Sequence, residues 1–296
     1  MQADPLLYVE RKITMMPNID LGFLQLNAYW TMAVIGFMVG IAIILFNNKH
    51  HPLYKLPLQD VIFLMLYIIV GVLLGARLMF VFTYIPRIIE NPSLFLPVLL
   101  SGGLVFYGGL IGGVVMGFVY VKQYGLDPIR YANLFILAVP AGHAFGRVGC
   151  FMTGCCYGRP TDAWMGVVFP EGPVHPEATE PLHPTQLYEV AFNILLFVVM
   201  LGLFYKYRNR HKPYVFIALY MIGYGTFRFI NEFFRGDLIR GIYILSTSQW
   251  ISLFVVAFGV FLLIAKAERL PLFRKTEPLS KSYRRHLESK AVADQQ

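Results

Sequence analysis

The sequence predicts an all-α, polytopic membrane protein: one integral domain over residues 1–296 with seven transmembrane helices, N-terminus outside and C-terminus cytoplasmic. Three observations carry that prediction. First, the chain is 57% hydrophobic and only 14% charged, where a soluble domain carries about 25% charged residues. Its mean hydropathy is +0.58. Second, a hydrocarbon core about 30 Å thick needs roughly 20 apolar residues per helix, and seven segments of that kind recur. Third, Lys and Arg are unevenly shared between alternating loops.

The elements follow in chain order. The opening MQADPLLYVERKITMMPNID contains no apolar run of signal-peptide type, so the first span is expected to direct its own insertion. That span covers 26–46, carries Tyr29 near its start and stops at NNKHHP. The second covers 60–84 and stops before NPS, a turn signal. The third, 104–122, contains GGLVFYGGLIGGVVMG. Small residues at this spacing let helices approach closely. The fourth, 128–148, ends on GHAFGRV and delivers Arg147. Residues 149–184 form the longest connection and include FPEGPVHPEATEPLHP. The fifth, 185–205, is entered through HPTQLYE; the sixth is 214–234, the seventh 248–266, and 267–296 is a basic tail.

Charge fixes the expected orientation. With the N-terminus outside, loops 47–57, 121–130 and 206–213 and the tail after 265 face the cytoplasm and hold 16 of the 25 Lys and Arg. Arg11, Lys12, Arg87, Arg159, Arg235 and Arg240 face outward. The net charge of +8 therefore reads as a topology signal plus attraction to anionic headgroups. Basic residues spread over short loops make nucleic acid a poor partner.

Three arginines fall inside spans: Arg77, Arg147 and Arg228. Each costs about 2.5–3.5 kcal/mol on insertion scales unless partnered or hydrated. Arg77 lies where it could snorkel to the interface. Arg228 precedes Glu232 by four residues, so the two share a helix face. A structural ion pair explains that spacing. It does not explain why two spans deliver arginines to similar depth near the outer surface. Planar guanidinium groups bind phosphate in bidentate fashion, and a phospholipid site is the reading we favour over a purely structural network. Tyr29, Tyr107, Tyr224, His183, Gln186 and Glu189 collect on the same side. Imidazole titrates near neutrality, which makes His183 a candidate base; beside Pro184 it reads first as a helix-entry residue.

GHAFGRVGCFMTGCCYGRPT holds all three cysteines. Small buried packing residues, a disulfide from Cys150 to Cys155 or Cys156 on an oxidising face, and a metal or redox site helped by His143 or His183 all stay open. The spacing matches no standard zinc motif. No metal and no cofactor are expected.

GGLVFYGGLIGG, GHAFGRVGCF, HPTQLYE and GYGTFRFINEFFRGD, in this order, resemble the phosphatidylglycerol–prolipoprotein diacylglyceryl transferase family. The resemblance implies a multi-pass enzyme of the bacterial cytoplasmic (inner) membrane with its active site toward the outer leaflet. It implies transfer of a diacylglyceryl group from phosphatidylglycerol to the lipobox cysteine of a prolipoprotein signal peptide, releasing glycerol phosphate. Catalytic positions implied are Arg147, Arg228, Glu232 and Tyr107. Phosphatidylglycerol-binding positions implied are Arg147, Arg228, Tyr29, Tyr224, Gly158 and His183. The chain departs from the family pattern at three places: Tyr107 stands where a histidine is usual, Cys150 where an asparagine is, and Cys155 where a glutamate is. These departures leave room for a paralogue with another acceptor, or for a lipid-binding protein without catalysis.

Overall fold

The computed structural model describes residues 17–20, 22, 25–51, 54–169, 180–207, 214–236, 241–242, 244–266, 270 and 273–275. Arg11, Lys12, Arg240, loop residues 208–213 and nearly all of the basic tail lie outside the described residues. A two-stranded antiparallel hairpin, β1 (Asn18–Asp20) and β2 (Gln25–Asn27), leads straight into α1 (Ala28–His50). The Asn27 side chain accepts a hydrogen bond from the Trp30 N–H at 3.3 Å, satisfying a donor that the first turn leaves open. α2 (Leu58–Glu90) runs for 33 residues, about 50 Å, and so continues past the expected stop. A 3-10 turn (Pro92–Leu94) and the short α3 (Phe95–Leu100) follow. Then come α4 (Phe106–Gln123), α5 (Pro128–Ile136), α6 (Val139–Met152), α7 (Thr185–Lys206) and α8 (Tyr214–Asn231). α8 ends in a 3-10 turn (Glu232–Phe234), and a minimal hairpin, β3 (Gly241–Ile242) with β4 (Leu245–Ser246), introduces α9 (Thr247–Ile264). Ser246 and Gln249 form a reciprocal capping box at its start.

Four helices, α1, α2, α7 and α9, are long and apolar enough to cross a membrane, and the bent pair α5–α6 makes a fifth if it is one span. The third and sixth expected spans are helical as α4 and α8, but glycine, tyrosine and terminal polar residues make both less apolar. The fourth expected span is broken by 40° between α5 and α6. Pro140 explains the break. It lies in the first turn of α6, where its missing N–H costs nothing, and its ring excludes a helical carbonyl four residues earlier, at Ile136, where α5 ends.

The chain forms two compact units. One takes the described residues within 1–55 and 132–267, the other those within 56–131 and 268–296. In the second unit α2 packs on α4 through glycine against glycine. A Cβ at Gly112 would lie 2.1 Å from the Gly71 carbonyl oxygen, and one at Gly75 would lie 2.2 Å from that of Gly108. Arg77 donates to the carbonyl oxygens of Gly103 at 3.0 Å and Val98 at 3.2 Å, and to that of Leu99. It satisfies two C-terminal carbonyls of α3 and one in the loop beyond it.

In the first unit α1 packs on α6, α6 on α7, α7 on α8 and α8 on α9. The burial pattern is reversed relative to a water-soluble bundle. Gln186, Glu189 and Asn193 of α7 are at most 1% exposed, while Val34 and Phe254 are 61% and 70% exposed. Such a surface suits hydrocarbon as solvent, and the protein is a multi-pass membrane protein.

Candidate functional site

The polar centre of the first unit is built from the ends of successive helices. Arg147 stands in the last turns of α6, Glu189 in the first turns of α7, and Arg228 in the last turn of α8. Glu189 binds both arginines: Arg147 Nε pairs with its Oε2, and Arg228 Nε lies 3.6 Å from its Oε1. Arg228 Nη1 also pairs with Glu232 Oε2 at 2.6 Å, the contact expected from their four-residue spacing. Its Nη2 donates to Ser248 Oγ at 3.1 Å, at the start of α9. The carboxylates are the buried members, with side chains 1% and 4% exposed; those of Arg147 and Arg228 keep 17% and 11%.

Two cations and two anions make this cluster formally neutral, yet its donors are not exhausted. Each guanidinium carries five N–H donors, and one carboxylate oxygen engages one or two of them. The carboxylates hold both groups in place, and N–H donors beyond those used in these contacts remain on each guanidinium. Three rings complete the surroundings. Tyr224, one turn before Arg228 on α8, lies in the field of Glu189, Arg147 and Arg228. The His143 ring lies 4.9 Å from the Tyr224 ring, tilted by 58°. Tyr29, at the start of α1, packs against the end of α6, where a Cβ at Gly149 would lie 3.1 Å from the Tyr29 Cα.

Gly158 and His183 meet elsewhere, at a backbone crossing. Gly158 N–H donates to the His183 carbonyl oxygen at 2.8 Å, and Arg159 N–H to that of Phe234 at 2.8 Å. A Cβ at Gly158 would lie 2.5 Å from His183 Cβ and 2.6 Å from the Phe234 oxygen, so two other chain segments close on it and only glycine fits. The His183 ring is engaged by the Tyr188 hydroxyl at Nδ1, 2.9 Å away, and by Phe234 at 5.3 Å between centroids. These contacts agree with a helix-entry role. Tyr107 belongs to the second unit, in the first turn of α4, 42% exposed and edge-on to Phe106.

The three cysteines are free thiols. Gly154 and Cys156 both take positive φ, 74° and 67°. For a non-glycine residue that backbone costs about 1–2 kcal/mol; here it turns Cys155 and Cys156 back toward Cys150. Gln186 Nε2 and Thr185 Oγ1, both buried at the start of α7, donate to the Cys155 and Cys156 carbonyl oxygens at 2.6 and 2.7 Å.

The structure brings Arg147, Arg228, Glu232, Tyr224 and Tyr29 to one place, and the sequence reading named Glu189 on the same side but gave no role to this residue that joins the arginines. Its signal was present: a carboxylate in an apolar segment, quoted within HPTQLYE, next to two other span-borne charges.

Comparison with known proteins bears on this cluster. Residues 17–265 match the family described as prolipoprotein diacylglyceryl transferase. The chain is 36% identical to the phosphatidylglycerol–prolipoprotein diacylglyceryl transferase of Clostridium tetani, over 80% of this chain and 92% of the relative. It is 32% identical to the same-named protein of Erythrobacter litoralis, over 84% and 88%, and 33% identical to that of Nitrosomonas europaea, over 83% and 87%. With a match across most of its length and a buried arginine–carboxylate centre within it, the chain belongs to the prolipoprotein diacylglyceryl transferase family.

Proposed function

We propose that this protein transfers a diacylglyceryl group from phosphatidylglycerol to the cysteine thiol of a prolipoprotein lipobox, as one seven-span domain of a bacterial inner membrane with its site toward the outer leaflet. The observation that carries the reading is the pair of guanidinium groups, from separate helices, held on one buried carboxylate.

The chemistry follows from that arrangement. The substrate thiolate attacks the glyceryl carbon that bears the phosphate ester. A C–S bond forms, the C–O bond breaks, and glycerol phosphate leaves with the bonding electrons. The thiol proton goes to solvent or a base. Negative charge grows on the departing phosphate oxygens, so the catalytic demand is for fixed positive dipoles and charges at that point. Arg147 and Arg228 meet that demand, and Glu189 and Glu232 set their planes before substrate arrives, which avoids reorganisation in the transition state. Tyr224 and Tyr29 offer hydroxyls beside the headgroup. Gly158 and His183 shape the backbone that carries the neighbouring loop.

The test uses the full-length protein in phosphatidylglycerol-containing proteoliposomes with a synthetic lipobox peptide. Release of glycerol phosphate with stoichiometric thioether formation is expected. Retained lipid binding with no release would leave a non-catalytic lipid-binding protein. Tyr107→His is expected to maintain or raise transfer to the peptide; a folded but inactive variant would indicate a different acceptor.

A further inference from the structure

The sulfurs of Cys150, Cys155 and Cys156 lie within 4.8 Å of one another, and these are all the cysteines in the chain. The proposed transfer does not need them: its acceptor thiol belongs to the substrate. Nor is a lipid-bearing enzyme cysteine useful, because a thioether carries no group that leaves easily.

We infer that Cys150, Cys155 and Cys156 form a three-thiolate site for one soft, closed-shell cation of the zinc(II) or copper(I) type. Soft thiolates select such ions. A tetrahedral ion with bonds of about 2.3 Å sets its sulfurs about 3.8 Å apart, which small side-chain rotations reach from the observed spacing. The backbone is already arranged. Left-handed Gly154 and Cys156 fold the turn, Cys155 N–H donates to the Cys150 carbonyl oxygen at 3.1 Å, and Thr185 and Gln186 hold the next two carbonyls. Donors also face the sulfurs. Thr153 Oγ1 lies 3.6 Å from Cys155 Sγ, and Arg147 Nη1 lies 4.0 Å from Cys150 Sγ. Hydrogen-bond donors and a cation in those places stabilise thiolate ligands.

A disulfide uses this geometry less well. Adjacent Cα atoms are about 3.8 Å apart, short of the usual 4.4–6.8 Å for a bridge, which disfavours Cys155–Cys156. A bond from Cys150 to either partner leaves the third sulfur unused. Metal binding needs no oxidant: the thiols release their protons to solvent and no electron moves.

The experiment is cadmium(II) titration of the reduced, untagged, full-length protein in detergent, followed by thiolate-to-cadmium absorption in the ultraviolet. One ion per chain is expected. Loaded protein should resist iodoacetamide at all three cysteines, and metal-free protein should be alkylated at all three. Cys150→Ser, Cys155→Ser and Cys156→Ser should each weaken binding at least tenfold, and Thr153→Val about tenfold through the ligand it supports. The wild-type stoichiometry and protection pattern stand even if a serine variant fails to fold. Absence of the band, alkylation of all three thiols in loaded protein, or binding unchanged in all three serine variants overturns the site. So does a wild-type chain that forms a Cys–Cys bond on removal of reductant and then takes up no cadmium. No readout depends on transferase activity, so this result and that of the lipobox assay are independent.

Discussion

Glu189 concentrates the chemistry of the first unit in one side chain. It is 1% exposed and shared by two guanidinium groups from two other helices. Removing one member of such a buried set leaves the remaining charge uncompensated, at a cost of about 3–5 kcal/mol. Glu189→Gln keeps the shape and removes the charge, so both arginines lose the anion that fixes their planes. We expect kcat/KM for transfer to fall about 100-fold, the scale of losing one preorganised electrostatic contact, with most of the fall in kcat. Arg147→Ala and Arg228→Ala should abolish turnover, and Arg228→Lys should not restore it, because an ammonium lacks the planar fork. Wild-type rates from Glu189→Gln would separate the cluster from the reaction. Gly158→Ala should lower thermal stability by about 1–3 kcal/mol, the usual cost of overpacking, since its Cβ has no space between His183 and Phe234. The sequence made some of this legible and hid the rest for a physical reason. Arg228 and Glu232 share a helix, so their spacing reveals the pair. Glu189 meets its partners only after three helices pack, and Gly158 meets His183 only where the loop after α6 crosses the entry to α7.

Helices carried the clearest sequence signals, and their departures trace to single residues. All seven apolar segments became helical, because length and composition decide that in hydrocarbon. Pro140 broke the fourth, which a hydropathy window does not register. GGLVFYGGLIGGVVMG announced close packing of α4; its partner stretch in α2, GVLLG, reads as an ordinary apolar run. Yet Gly71 and Gly75 are what allow the approach. In lipid, helices gain little from burying apolar surface against one another, so backbone proximity is a main source of their attraction. Gly112→Leu should therefore force α2 and α4 apart. We expect a clear drop in melting temperature in detergent, against almost none for Val114→Leu, whose site on the same helix is 65% exposed. Equal melting temperatures for the two variants would show that the glycine contact does not hold this unit together.

At the scale of the whole molecule, the proposed site and the chain termini are linked by simple alternation. Arg147 and Arg228 stand at C-terminal ends of helices, and Tyr29, Glu189 and Ser248 at N-terminal ends. Contacts join these ends, as they must if successive spans run antiparallel. The site then lies on the side from which α1 enters, and α9 ends on the other. Orientation of the termini thus decides which leaflet supplies the lipid. The lysines and arginines argue for one answer, since 16 of 25 fall in segments that face the cytoplasm when the N-terminus is outside. We expect green fluorescent protein fused after Gln296 to be bright, and alkaline phosphatase fused there to be inactive but active when fused after Glu90. Reversing the charge bias should erode that pattern: replacing Lys206, Arg208, Arg210 and Lys212 with glutamine should raise the fraction of chains whose C-terminal phosphatase is active. The opposite reporter pattern in the wild-type chain would place the arginine pair against cytoplasmic-leaflet lipid, and the proposed transfer at the outer leaflet would fail with it.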